Sequence, residues 1–177
     1  NVERDVMQPH LEIQIPSGQT RRNVMVRLAA AICIGLGTVN GAFADTHVMT
    51  APDAFALVQR GDLVMLDIRS REEWLETGVA VGALPVSMHE PGFGRRLMEI
   101  LQQYPPEKIA LICATGGRSE FVVNRLAAQG ITGLRDVPEG MMGHGDAPGW
   151  IARGLPITAP QNAEAEYEAM RDSWAEK

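Results

Sequence analysis

The chain has 177 residues, 45% of them hydrophobic and 21% charged. That is a globular composition, with length for one domain and extensions. Aromatic residues make up 5%, so the core must be largely aliphatic. A net charge of −6 and only two lysines, Lys108 and Lys177, argue against nucleic acid as the main partner, because neutralising phosphates takes a basic face. Two cysteines, Cys33 and Cys113, exclude a disulfide-stapled scaffold and a four-cysteine zinc site. No apolar run reaches the roughly 18 residues that suggest a membrane-spanning helix.

Residues 1–44 have the order of an export signal. Arg21, Arg22 and Arg27 precede the apolar run Leu28–Leu36, which is followed by the small-x-small step Ala42-Phe43-Ala44. Cleavage after Ala44 would leave Asp45 as the mature N-terminus and a periplasmic or secreted protein with no stable membrane anchor. Thr20-Arg21-Arg22-Asn23-Val24-Met25 loosely matches a twin-arginine signal, and Met25 is an alternative start. A buried core helix is the plainer reading of this stretch, but Gly35 and Gly37 would each weaken one by about 1 kcal/mol. Cys33 reads as an inert small hydrophobe, so the mature chain would hold Cys113 alone.

From Val48 to Ala159 strand and helix patterns alternate. Thr50 caps a helix running to about Gln59, with Pro52 in its first turn. Leu63–Asp67 reads as a buried parallel strand. Ser70 and Glu73 form a capping box for a short helix. Ala83–Val86 reads as a weaker strand, placed at an edge by Pro85. A helix is expected over Leu97–Tyr104, stopped by Pro105 and Pro106. Ile109–Cys113 is the clearest central strand. A glycine-rich turn leads to a helix over Ser119–Gln129, ended by Gly130. Gly133–Val137 is a further strand, and a short helix surrounds Trp150. In Asn162–Lys177 an apolar stripe of Ala163, Tyr167, Met170 and Trp174 runs along an acidic helix. The stripe either packs on its own domain or docks a protein partner. The alternation implies an α/β fold with a parallel sheet flanked by helices on both faces. Ligands of such sheets bind beyond the carboxyl ends of the strands, where Asp67 and Cys113 fall.

The loop Cys113-Ala114-Thr115-Gly116-Gly117-Arg118-Ser119 joins the central strand to a helix start. Its two glycines allow a tight curl that aims several N–H groups at the sulfur. The helix dipole and Arg118 add positive potential, and all three effects favour thiolate over thiol. Cys113 is therefore the candidate nucleophile, with Ala114, Thr115, Gly116, Gly117 and Arg118 as the cradle that holds substrate. The plain alternative is a small hydrophobe finishing a strand.

These residues resemble the rhodanese family of sulfurtransferases. Cys113, Gly116, Arg118 and Ser119 match its Cys-x-x-Gly-x-Arg-Ser loop. Leu66-Asp67-Ile68-Arg69, followed by Glu72-Glu73-Trp74, is similar to its first signature, and Trp150–Ile157 is similar to its closing one. The resemblance implies a single rhodanese-like domain over 45–160, followed by the acidic helix of 161–177. It implies sulfane-sulfur transfer from a small anionic donor such as thiosulfate to a thiol or cyanide, through a Cys113 persulfide. It also implies that Asp67 braces the loop or Arg118, that Ser119 supports the loop, and that Arg69 attracts the donor; the plain alternative for Asp67 and Arg69 is a structural ion pair plus a solvated arginine. Glu73 and Trp74 read as cap and packing residues. The spacing Cys-x4-Arg is one residue shorter than the Cys-x5-Arg of related phosphatases, which favours sulfur over phosphate by analogy.

The sequence departs from that family in three places. Gly78-Val79 replaces Gly-His. The positions after Cys113 carry no additional charge. The segment 139–149 is longer than usual, and its Met141, Met142 and His144 are candidates for shaping acceptor access. His47, His89 and His144 have no metal-ligand spacing, so neither metal nor cofactor is expected. Two other readings stay open: a sulfur-carrier or protein-interaction module that turns over poorly, and a cysteine-based phosphatase or arsenate-type reductase.

Overall fold

A computed structural model describes residues 48–176. The expected leader of residues 1–44 lies outside the described residues. The described elements are α1 (Ala51–Gln59), β1 (Val64–Asp67), α2 (Arg71–Thr77), β2 (Val79–Ala80), β3 (Ala83–Pro85), α3 (Phe93–Gln103), a short 3-10 turn (Pro106–Lys108), β4 (Ile109–Ile112), α4 (Gly117–Ala127), β5 (Arg135–Asp136), α5 (Gly149–Ala152), β6 (Ile157–Thr158) and α6 (Pro160–Ala175).

Four strands form a parallel sheet in the order β3-β1-β4-β5. Leu66 of β1 lies between Leu84 of β3 and Leu111 of β4 in register. The β4 strand is wholly buried, as an interior strand covered on both faces must be. Strand alternation then sorts the core into two layers. Leu66, Leu84 and Leu111 face Phe93, Leu97 and Ile100 of α3 and Val122 and Leu126 of α4. Met65, Ala110 and Ile112 face Ala51 and Ala54 of α1, Trp74 of α2 and Trp150 of α5. Pro85 does sit on an edge strand, where its missing N–H breaks no ladder.

Several elements differ from expectation for local reasons. Helix α3 begins at Phe93, four residues early, because Phe93, Leu97 and Ile100 form one buried face. Its N-cap is Gly92 in a left-handed conformation with no capping side chain, so the usual start signal is missing. Strand β5 shrinks to Arg135–Asp136. The antiparallel ribbon of β2 and β6 has two residues per strand, too few to leave a readable period.

Helix α6 packs along β3 and covers that sheet edge. Its Tyr167 and Ala163 are buried, one in each layer, and Met170 and Trp174 pack against the first. The stripe therefore packs on its own domain, with Met170 and Trp174 left partly buried. Arg71 of α2 also pairs with Glu164 of α6.

Candidate active site

The carboxyl ends of β1 and β4 place the candidate residues. Ile112 ends β4, and Cys113 follows as a free, buried cysteine, 1% exposed. Two donors lie at its sulfur: the Gly116 N–H at 3.1 Å and the Ser119 hydroxyl at 3.5 Å. One loop amide thus reaches Sγ at hydrogen-bond distance, where the sequence suggested several. The Ser119 hydroxyl also lies 2.9 Å from the Gly116 carbonyl oxygen, so it ties the turn to the first turn of α4. Ala114 is half-buried and Thr115 exposed.

The far side of the loop is built by residues 137–142. The Met141 N–H donates to the Cys113 carbonyl and the Met142 N–H to the Ala114 carbonyl, at 2.9 and 2.8 Å. Met141 is buried in the core, so it does not shape acceptor access. Met142 is exposed and borders a separate groove beside Trp74 and Ile157. His144 does lie next to the active loop, across a cavity lined by Thr115, Gly116 and Gly117.

The reading of Arg69 as a donor-binding residue is corrected. Its side chain is 1% exposed and paired to a fully buried Asp67. The Arg69 Nε lies 2.9 and 3.1 Å from the two Asp67 oxygens. Its Nη2 donates to Asp67 Oδ2 and the Gly78 carbonyl, and its Nη1 to Thr77 Oγ1. With these donors spent inside the fold, Arg69 fastens β1 to the end of α2. Asp67 likewise braces Arg69 rather than the active loop or Arg118. Arg69→Met would strand the Asp67 carboxylate in the interior. Urea unfolding should then show a loss of about 3–5 kcal/mol, the usual result of breaking a buried pair from one side.

Glu73 braces Arg118. The Arg118 Nη1 and Nη2 donate to its two carboxylate oxygens at 2.7 and 2.6 Å, a forked pair. The Glu73 Oε2 also accepts the Ser70 N–H at 2.9 Å, so the residue closes the capping box of α2 and anchors the active loop together. Arg118 Nη1 lies 3.0 Å from His89 Nε2 as well. The forked Arg118 bonds hold the Glu73 carboxyl down at about 2 against the opposing effect of burial, helped by the Ser70 N–H. The same pairing raises Arg118 further, as does its proximity to Cys113. Because Glu73 is depressed in the fold, its contribution is present above its ordinary value and lost as pH falls through about 2. Glu73→Gln should remove about 1–2 kcal/mol at pH 7, the pair being partly solvated, and flatten the acid limb of stability against pH.

Two further carboxylates carry no sequence signal. Glu139 is buried and accepts from the Ala51 N–H, the Gly149 N–H and Arg153 Nε, at 2.7, 3.1 and 2.6 Å. Burial pushes its carboxyl up, but these donors together hold it below the ordinary range. Asp136 is 4% exposed, and its Oδ1 has no hydrogen-bond partner. Burial pushes it up to about 6; the Ser119 hydroxyl pulls the other way and Glu120 adds to the rise. A carboxyl raised in the fold contributes stability at low pH that is lost as pH rises through about 6. Asp136→Asn should therefore gain about 2 kcal/mol at pH 8 relative to pH 4, read from paired thermal melts.

The chain belongs to the family of rhodanese-like domains, whose model matches residues 50–145. No curated protein matches it significantly. Among solved structures it is similar to the 30 kDa polysulfide-sulfur transferase homodimer from Wolinella succinogenes, at 22% identity and TM-score 0.49, over 65% of this chain and 80% of that one. It is also similar to Rv0390 from M. tuberculosis, at 26% identity and TM-score 0.47, over 63% and 96%. The human single-domain sulfurtransferase TSTD1 matches at 23% identity and TM-score 0.42, over 54% and 91%.

Proposed function

We infer that the protein is a sulfurtransferase that carries a sulfane sulfur on Cys113. The observation behind this reading is the placement of Cys113 at the end of the central strand, with the Gly116 N–H and the Ser119 hydroxyl at its sulfur and Arg118 beside it. In the first half-reaction the Cys113 thiolate attacks the outer sulfur of a donor such as thiosulfate. A Cys113 S–S bond forms, the donor S–S bond breaks, and sulfite leaves with its electron pair. In the second, a thiolate or cyanide attacks the outer sulfur, and Cys113 leaves as thiolate. Neither half needs a protonated leaving group, so no separate acid is required. The Gly116 N–H and the Ser119 hydroxyl hold the negative sulfur in both halves.

In this reading Ala114, Thr115, Gly116, Gly117 and Arg118 form the cradle of the transferred sulfur, and Ser119 sets its shape. The leader of residues 1–44 would deliver the chain to the periplasm or outside, with Asp45 as the first residue of the exported form. The N-terminal sequence of that form checks this point.

The test is to incubate the chain with thiosulfate and weigh it intact. A gain of one sulfur, about 32 Da, is expected of a nucleophilic thiolate. No gain with any sulfane donor would leave the second reading, a module that binds without turnover. The 1% exposure of Cys113 and the pairing of Arg118 to Glu73 favour that second reading. Hydrolysis of an aryl phosphate would point to phosphatase chemistry instead.

A further inference from the structure

A guanidinium carries five N–H hydrogens, and the contacts of Arg118 take three of them. Its Nη1 donates to Glu73 Oε2 at 2.7 Å and lies 3.0 Å from His89 Nε2, and its Nη2 donates to Glu73 Oε1 at 2.6 Å. Arginine offers no acceptor, so His89 Nε2 takes the second Nη1 hydrogen and the imidazole keeps its own proton on Nδ1. Nε–H and one Nη2–H remain, side by side on one edge of the planar group. That edge is the fork that matches two oxygens of a sulfonate or a carboxylate. The Arg118 side chain is 19% exposed, so the group is not sealed in. Beyond Glu73, the group that most favours its charge is Cys113.

The backbone sets His89 in place. The Val86 N–H donates to the Asp67 carbonyl and the Met88 N–H to the Ile68 carbonyl, at 3.0 and 3.1 Å, which ties the segment after β3 to the end of β1. Ser87 and Met88 are buried, and Ser87 Oγ accepts the His89 N–H at 3.2 Å. His89 is the first exposed side chain after this fixed turn. A guanidinium held only by a fork at its tip can roll about the axis of that fork. A third bond from a separate segment stops the roll. We propose that His89 is a specificity-determining positioning residue, which locks Arg118 so that its open edge selects sulfane donors carrying an oxyanion. This rests on the persulfide reading given above. In the uptake step the Cys113 thiolate bonds to the donor's outer sulfur, the donor S–S bond breaks, and the sulfonate end leaves as sulfite with that electron pair, its oxygens on the Arg118 edge.

The experiment alkylates Cys113 with iodoacetate and with iodoacetamide, read by intact mass. Both reagents form the same S–C bond and expel iodide, so the thiolate fraction cancels in their rate ratio and the charge preference of the site remains. The ratio should fall about fivefold in His89→Leu, the worth of one hydrogen bond. His89→Gln, which keeps an acceptor, should stay within about twofold of the wild type. In an Arg118→Lys background His89→Leu should add nothing, since the two residues act as one unit. The half-saturating thiosulfate concentration for sulfur uptake should rise about fivefold in His89→Leu, with the limiting rate changed less. An unchanged alkylation ratio in His89→Leu, or a ratio in His89→Gln as low as in His89→Leu, overturns the proposal. Failure of both reagents to reach Cys113 overturns it too, because the edge would then have no route to the sulfur. If the ratio responds as expected but thiosulfate loads no sulfur, the persulfide reading fails and the locked anion edge stands.

Discussion

Serine in place of Cys113 should abolish sulfur uptake, with the mass of the chain unchanged after thiosulfate and turnover down by at least about three orders of magnitude. The substitution changes one atom and leaves the carbon skeleton of the loop intact. A hydroxyl is a far weaker nucleophile than a thiolate near neutral pH, and the described residues place no histidine against this position to deprotonate it. His89 is engaged with Arg118. Cys113 is the free cysteine of the described residues, so residual uptake in the variant would have to come from outside the loop, and the assignment of Cys113 would fall.

Gly116→Ala should be nearly as damaging, for a steric reason. Gly116 has φ +88, and an added Cβ would come 2.0 Å from the Pro138 carbonyl oxygen and 2.7 Å from its carbon. Those are backbone atoms of the segment that flanks the active loop, so they cannot swing aside as a side chain could. The variant must move the turn, which carries the Gly116 N–H away from the sulfur. A loss of about 2–4 kcal/mol in stability is expected, by clash and left-handed strain together. Sulfur uptake should slow by at least about tenfold, because one donor to the reacting atom is displaced. Gly117 is the internal comparison: an added Cβ there meets nothing within 4 Å. Gly117→Ala should change stability by less than about 1 kcal/mol. Equal stability of the two alanine variants would contradict the close approach of Pro138.

What could be read from the sequence was local. Thr50 and Ser70 cap the helices they were expected to cap, since capping chemistry spans four residues. The apolar run of β4 marked the central strand, and the glycines behind Cys113 marked the turn. The resemblance of this loop to rhodaneses agrees with the family match. The partners of the charged residues were not legible. Glu73 was read as a cap, which it is, but its bond to Arg118 joins residues 45 apart. No periodicity encodes such a contact. Asp67 and Arg69 sit two residues apart, and their mutual pairing was weighed against roles at the site. Only the burial of both decides it. Asp136 looked like an ordinary strand residue, and nothing local told that one of its oxygens would be left without a partner.

Glu139 has a consequence for how the domain could diversify. By gripping the start of α1, the start of α5 and Arg153 together, it clamps the base of the long segment that ends at Gly149. Beyond the clamp, His144 and Ala147 exchange backbone hydrogen bonds and close a small tip. Residues 145 and 146, inside the tip, lie beyond the Met141 and Met142 N–H bonds that tie this segment to the turn carrying the cysteine. Gene variants could lengthen or recolour that tip, and so retune which molecules reach the loop, without disturbing the reactive sulfur.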